Sequence, residues 1–361
     1  MTEAQLSSIA VRSAKPTVRA DEQEHDKLNE LLIAMEMKEQ ESGLSSIELR
    51  YSNVASTDDG TSELAFEDEA ILRLGTLLTV YSGDENEPQE IFRGIITGLE
   101  ADFPVSDPPE LVVLAEDVLQ KSRMMRRTAV HEETTIADIA ETIASNIGVT
   151  AQITELDDSI GTWYQFNESD LMFLRRLLNR YDADAQIIGE ELFVFRRNEM
   201  QRQIVELELH GQLRSARILA DLSHQISEVT VSGWDVNQGE RITATSTGAN
   251  EGPGDGRSGA ELLVDAIGER SEHIGHLSVN NQEEAQLLAD SAYDQVARRF
   301  VCVEATAEGN PAIRVGSNVT LSGISTRFDN SYYVTSCCHR FDVTRGYETD
   351  FEAVSSKLQY A

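Results

Sequence analysis

The chain has 361 residues, 40% of them hydrophobic, and 63 acidic side chains against 30 lysines and arginines give it a formal net charge of −33. That length supports two or three domains, while the charge argues against binding nucleic acid through its phosphates or attaching to an anionic membrane surface. No apolar run approaches the roughly 18 residues of a membrane-spanning helix, the N-terminus lacks the hydrophobic core of a signal peptide, and three cysteines do not make a disulfide framework.

Residues 1–27, polar and containing Asp21-Glu22-Gln23-Glu24, read as a flexible extension. Leu31 to Met37 and Ile47 to Tyr51 read as strands around a Ser42-Gly43 turn. Further strands are expected over Leu77 to Tyr81, Ile91 to Leu99 and Glu110 to Ala115, with Pro104, Pro108 and Pro109 marking a loop. Short connections between them predict an antiparallel meander belonging to a barrel. Beyond Val118 the texture changes. Thr135 is placed to cap a helix running to Ile147, with Ile136, Ile139, Ala140, Ile143 and Ile147 on one face and Gly148 as its stop.

The stretch Thr162 to Tyr181 combines a strand with a helix. Trp163, Tyr164 and Phe166 favour an extended segment. Asn167 is placed to cap the following helix, with Asp170 three residues on in a capping-box position. Leu171, Leu174, Leu178 and Tyr181 then recur at helical spacing. A hairpin from Ala185 to Arg196 turns at Gly189. Strands follow at Ile226 to Trp234 and Arg241 to Thr245, joined through Asn237-Gln238-Gly239. The segment 247–260 holds five glycines and reads as a mobile loop. A helix over 283–299 presents Ala285, Leu288, Ala289, Ala292 and Val296, and strands at Val315 to Leu321, Tyr332 to Cys338 and Tyr347 to Val354 close the chain.

These last strands repeat the first β region. Arg73-Leu74-Gly75-Thr76-Leu77-Leu78-Thr79-Val80 aligns with Arg314-Val315-Gly316-Ser317-Asn318-Val319-Thr320-Leu321, three of eight positions being identical. Gly94-Ile95-Ile96-Thr97 parallels Tyr333-Val334-Thr335, and Glu110 to Ala115 parallels Glu348 to Ala353. Three matches in order, at similar separations, predict a duplicated β unit. Gly75, Val80, Gly94, Thr97, Gly316, Leu321, Val334 and Thr335 mark its strands.

The chain offers little for catalysis. There is no Gly-x-Ser-x-Gly elbow. His131-Glu132-Glu133 lacks the second histidine of a zinc-protease helix, and the Gly-rich segment lacks the Gly-Lys-Ser of a phosphate loop. Asp84-Glu85-Asn86-Glu87 does not continue as a calcium loop. Asp182-Ala183-Asp184 reads as solvated, and the spacing of Cys337-Cys338-His339 does not suit zinc. His273 and His276 have no further ligand nearby. No catalytic, cofactor-binding or metal-binding residue is assigned, and the chain is not expected to be an enzyme.

Trp163-Tyr164-Gln165-Phe166-Asn167-Glu168-Ser169-Asp170-Leu171, followed by Phe173-Leu174-Arg175-Arg176-Leu177-Leu178, resembles the hallmark of one family. These are the late control gene D proteins of contractile phage tails and the related VgrG spike proteins of type VI secretion. Trp163, Gln165, Glu168, Ser169, Asp170, Phe173, Leu174, Arg176 and Leu177 carry the resemblance, as a structural motif. Ile91-Phe92-Arg93-Gly94-Ile95-Ile96-Thr97 and Val229-Thr230-Val231-Ser232-Gly233-Trp234-Asp235 resemble further family segments, as do Gly316 to Ser322, Tyr332 to Ser336, His339-Arg340-Phe341 and Gly346 to Thr349.

The resemblance implies an α+β, mainly β fold, with two similar antiparallel β-barrel domains flanking a mixed α+β insertion. On that pattern residues 28–118 form the first barrel, 119–222 the insertion and 223–361 the second barrel. It implies a baseplate hub: a homotrimer whose barrels form a pseudo-sixfold ring, with a spike protein, the inner tube protein and other baseplate proteins as partners. No nucleic-acid or membrane partner is expected of the free protein. The chain stops near the close of the second barrel, so the spike is expected on a separate polypeptide. Such a hub would be made in the bacterial cytoplasm and work in the baseplate of an assembled tail or injection particle. The alternative functions are a tail-associated peptidoglycan hydrolase and a self-sufficient VgrG-like spike.

Overall fold

The protein is described from a computed structural model over residues 15–56, 62–83, 88–200, 202–235, 238–248, 252–275, 277, 279 and 281–359. Asp84-Glu85-Asn86-Glu87, Asn237 and His276, weighed above, lie outside these residues. The fold is α+β and mainly β, built on antiparallel strands. It divides into two compact units, one comprising Met1–Lys121, Thr306–Arg314 and Ser336–Phe351, the other Ser122–Ala305, Val315–Thr335 and Glu352–Ala361.

In the first unit, β1 (Thr17–Ala20) precedes a short helix α1 (Asp26–Glu30). Strands β2 (Leu32–Gln40), β3 (Ser46–Ser52), β4 (Leu77–Gly83), β5 (Pro88–Asp102) and β6 (Glu110–Glu116) follow. Their order in the sheet is β2-β3-β6-β5-β4-β1, and residues 336–342 of a late strand add antiparallel to β2. β1 falls within the segment expected to be flexible. Val18 and Ala20 explain it: both are buried, and Thr17 to Ala20 pair with Tyr81 to Leu78. Alternate residues of these strands, among them Met35, Met37, Ile47, Leu49, Tyr51, Leu78, Val80, Ile91 and Val113, fill one core with Val18 and Leu28. Each fully buried aliphatic side chain there contributes about 1.5–3 kcal/mol relative to exposure.

The second unit begins with a two-stranded ribbon of β7 (Arg126–His131) and β9 (Trp163–Ser169). Between them lie helix α2 (Ile136–Ile147) and β8 (Thr150–Ile153). The α2 signals act as expected: Thr135 and Asp138 form a capping box, and Gly148 closes the helix at φ 85°. Helix α3 (Asp170–Arg180) follows β9, then the hairpin β10 (Ala183–Ile188) and β11 (Glu191–Arg196), with Gly189 in its turn. β8 lies parallel to β11, in the order β8-β11-β10, and α2 and α3 pack on this sheet.

Strands β12 (Ile204–Glu208) and β13 (Leu213–Ala220) come next, then the hairpin β14 (Glu228–Asp235) and β15 (Glu240–Ser246). The Gly-rich segment does not remain a loop throughout. Ser258, in a capping box with Glu261, starts helix α4 (Gly259–Ala266). β16 (Ser271–Ile274) pairs parallel to β14, so His273 lies on a strand rather than a helix. Helix α5 (Gln282–Ala297), capped by Asn281, packs on β14 and β15. β17 (Val301–Glu308), β18 (Asn318–Ser322), β19 (Asn330–Asp342) and β20 (Gly346–Ser355) complete the chain. β18 pairs parallel to β12 and antiparallel to residues 330–333. Among the described residues the strand orders run as open paths, so the barrels expected from the sequence are not closed.

Candidate functional site

Residues from β7, β9 and α3 converge on one junction. Strand alternation along β9 turns Gln165 inward, buried, and leaves Tyr164 and Phe166 exposed. Gln165 Nε2 donates to the Glu168 carbonyl at 3.1 Å and to Asp170 Oδ1 at 2.9 Å. Its Oε1 lies 3.4 Å from His131 Nε2. Arg127 reaches Asp170 Oδ2 at 2.7 Å from the neighbouring strand. Asp170, largely buried at the first turn of α3, is therefore held by an amide and a guanidinium, and its charge favours the helix N-terminus.

The expected cap is displaced by two residues. Ser169, not Asn167, accepts from the Met172 N–H at 3.3 Å and starts the helix. The cause is β7: its pairing extends to Arg126↔Ser169, so the strand outlasts Asn167. Asn167 instead occupies the left-handed region at φ 48°, and its N–H donates to Thr128 Oγ1.

Arg176 ties the helix back to the strand. Its guanidinium contacts Glu168 Oε1 at 2.5 Å and donates to the Tyr164 carbonyl at 2.9 Å. It also lies over the rings of Trp163 and Phe173, 5.5 and 5.2 Å from their centroids, and Arg180 covers Trp163 at 5.3 Å. Trp163 Nε1 donates to the Ile160 carbonyl at 2.8 Å. Phe173, Leu174 and Leu177 are buried beneath, and Phe173 stacks on His131 at 4.8 Å. Trp163, Gln165, Glu168, Ser169, Asp170, Phe173, Leu174, Arg176 and Leu177 thus meet in one strand-to-helix clamp. Sequence reasoning missed Arg127 and His131, which lie about 40 residues upstream of the clamp.

The repeat residues are distributed over both units. Val80, Leu321, Val334, Gly94 and Gly316 are buried; Gly75 and Thr97 are exposed, and Thr335 is half-buried. Their hydrogen bonds correspond. Gly75 N–H donates to the Ile96 carbonyl at 2.8 Å, and Ile96 N–H to that of Thr76 at 3.0 Å. Gly316 N–H donates to the Val334 carbonyl at 3.0 Å, and Val334 N–H to that of Ser317 at 2.9 Å. Thr97 Oγ1 donates to the Leu114 carbonyl and Thr335 Oγ1 to that of Glu352, each bond spanning 17 residues. The pairs Leu77↔Ile95 and Asn318↔Tyr333 follow the same alignment.

A second polar group unused by the sequence argument lies within the first unit. Arg314 Nε and Nη2 donate to the two carboxylate oxygens of buried Glu39 at 2.7 and 3.0 Å. Cys337 Sγ is 3.5 Å from Glu39 and 3.8 Å from His339 Nε2. Tyr347 Oη lies 2.7 Å and Thr349 Oγ1 3.2 Å from His339 Nδ1. Burial, and then the Arg314 charge, push the His339 pKa down to about 3. Burial likewise raises that of Tyr347, so its hydroxyl stays protonated beside the neutral imidazole. Cys337 and His339 have the residue types of a nucleophile and base, yet both are shut off from solvent and substrate. Among the described residues no cluster of His, Cys, Asp or Glu is suited to a metal.

The fold thus combines a large, mainly antiparallel sheet, a ribbon-and-helix clamp and a strand register that recurs in both units. The chain is similar to the 43 kDa tail protein of prophage MuSo2 from Shewanella oneidensis, with a TM-score of 0.68 and 13% identity over 95% of this chain and 98% of the other. It is similar to the tail protein from Neisseria meningitidis MC58, with a TM-score of 0.66 and 12% identity over 94% and 96% of the two chains. A third similar structure is the E. coli c3393 protein, a component of the type VI secretion system with structural similarity to T4 bacteriophage tail proteins gp27 and gp5. Here the TM-score is 0.55, with 14% identity over 91% of this chain and 75% of that one. No curated protein matches the chain. The family model described as the Alg8 N-terminal domain matches residues 46–342, and the chain belongs to that family.

Proposed function

We propose that the protein is a structural hub in the baseplate of a contractile phage tail or injection system. It works as a homotrimer whose two related β units alternate around a pseudo-sixfold ring, joining the inner tube to a spike protein and contacting other baseplate proteins. The observation that carries this reading is the shared register of the two repeats, Gly75–Thr76 against Ile96 and Gly316–Ser317 against Val334. A duplicated unit in each of three chains gives six similar elements, a geometry suited to joining threefold and sixfold parts. The similarity in fold to phage tail and type VI secretion proteins supports the same reading. The motif clamp would hold the strand-to-helix junction and leave function to the surfaces around it.

Light scattering of the chain alone and with candidate tube and spike proteins from the same gene cluster tests this directly. The expected result is a threefold mass that binds both partners. A chain that stays monomeric with both present overturns it. The hydrolase alternative is tested by turbidity of purified cell walls, and clearing above a buffer control would favour it.

A further inference from the structure

Two surfaces of the protein each expose apolar side chains and carry opposite charge. The first is the β7–β9 ribbon with the segment leading into it. Residues 118–131 contain Lys121, Arg123, Arg126 and Arg127 and no acid, in a chain with 63 acids and 30 lysines and arginines. Met124 and Met125 are 70% and 67% exposed, and Tyr164 and Phe166, the outward aromatics of the family motif, 64% and 79%. Val130, opposite Tyr164 in the ribbon, and Met172 on α3 are exposed as well. Apart from Arg127, which pairs with Asp170, none of these side chains serves the clamp. An exposed cluster of aromatics and methionines among arginines has the composition of a protein-binding surface.

The second surface is the tip of the β5–β6 hairpin. Residues 99–110 contain Glu100, Asp102, Asp107 and Glu110 and no base. Phe103 is 63% exposed and Val105 fully so, and Leu99 is exposed beside them. Asp102 pairs with Glu110 at the end of the ladder, which places the intervening residues in a projecting loop. Pro104, Pro108 and Pro109 restrict that loop, lowering the entropy lost when it docks.

We propose that the hairpin tip of one copy of this chain docks on the ribbon of a neighbouring copy. Phe103 and Val105 pack against Tyr164, Phe166 and Met124, and Glu100, Asp102 and Asp107 face Arg123 and Arg126. Charge complementarity at the contact selects a second copy as the occupant: every copy carries its own acidic, apolar tip, whose charge and exposed apolar side chains match those of the basic ribbon. The two surfaces differ, so the contact is heterologous and propagates head to tail; a rotation that closes gives a ring. The inference rests on the ring reading above and adds to it the surfaces that meet.

The test uses the full-length chain and its mass in solution by sedimentation. Reversing one side, as Arg123→Glu with Arg126→Glu or as Glu100→Lys with Asp102→Lys, is expected to weaken self-association at least about a hundredfold. Combining all four substitutions in one chain restores it, because opposite charges again face each other. Restoration also shows that the single-sided variants failed through repulsion rather than misfolding. In a Cys302→Ser background, a Val105→Cys chain mixed with a Met124→Cys chain should give a cross-linked heterodimer. Native mass in both single-sided variants, or no recovery in the fourfold variant, overturns the docking while leaving the ring intact. A wild-type chain that remains monomeric with tube and spike proteins present overturns both. Binding to phosphatidylserine vesicles or RNA that the ribbon reversal abolishes, with mass unchanged, assigns the basic surface to that ligand and also overturns the docking.

Discussion

Gly75 and Gly316 occupy the same backbone conformation, φ 90° and 88°, at the same point of two repeated strand pairs in different parts of the chain. Each lets the chain turn sharply before its strand while its N–H enters the ladder. An L side chain at positive φ costs about 1 kcal/mol. Gly75→Ala should therefore destabilise by about that amount, since its added methyl meets nothing within 4 Å. At Gly316 the methyl would lie 2.7 Å from Met200 Cγ, so Gly316→Ala should cost more. Shortening the obstacle with Met200→Ala should remove the excess but not the backbone cost. Urea unfolding of the single and double variants measures both; equal costs at the two glycines would contradict the steric part.

The Glu39–Arg314 pair makes a second, separable prediction. The two residues are 275 positions apart and form a bidentate ion pair in which Glu39 is buried. Removing one partner strands the other charge, at a cost of about 3–5 kcal/mol. Arg314→Met and Glu39→Leu should each show a loss of that size, but the double variant should recover much of it, because apolar replacement of a whole buried pair is often nearly neutral. Additive losses in the double-mutant cycle would mean that the pair is uncoupled.

His339 predicts a pH dependence. Its folded pKa is depressed to about 3 by burial and the Arg314 charge, against about 6.5 for an unperturbed imidazole. Between those values the unfolded chain binds a proton that the folded chain excludes. Stability therefore rises with pH through that window, by at most about 1.4 kcal/mol per pH unit, and this contribution is flat above it. Acidification from pH 6.5 should weaken the wild type through this group. His339→Gln should remove that slope and leave the carboxylate titrations. Unfolding midpoints at intervals from pH 4 to 8 give the comparison, and parallel profiles for the two proteins would refute the assignment.

Features set by near neighbours were legible in the sequence. Thr135, Asp138 and Gly148 delimit α2 through bonds that close within a few residues, and the repeat was visible because each unit carries its own strand signals. Features set by distant partners were not. Ser169 displaces Asn167 as the cap because β7 holds the strand extended, and nothing within a few residues of Asn167 records that pairing. β1 has only four residues and too weak an apolar pattern to outweigh its acidic surroundings, but β4 gives it a partner. The Gly-rich segment hid the Ser258–Glu261 capping box that starts α4. The motif itself was legible as a string, but its mechanics required Arg127 and His131 from another strand.

Leu174 tests whether the clamp is structural. It is fully buried on α3, within the helix that Ser169 caps and Arg176 ties to β9. Leu174→Ala should cost about 2–5 kcal/mol through lost burial and a cavity. Ser169→Ala should cost only about 1 kcal/mol, the value of an N-cap. Leu174→Asp places a carboxylate without a partner in that core and should prevent folding altogether. Circular dichroism and proteolysis report folding, and light scattering reports assembly. If Leu174→Asp folds and self-associates like the wild type, the motif is not a packing element and its role must be sought at the exposed Tyr164 and Phe166. If the three variants instead lose stability in the order Asp, Ala, cap, assembly should fail only where folding fails, since the clamp would influence assembly only through the fold.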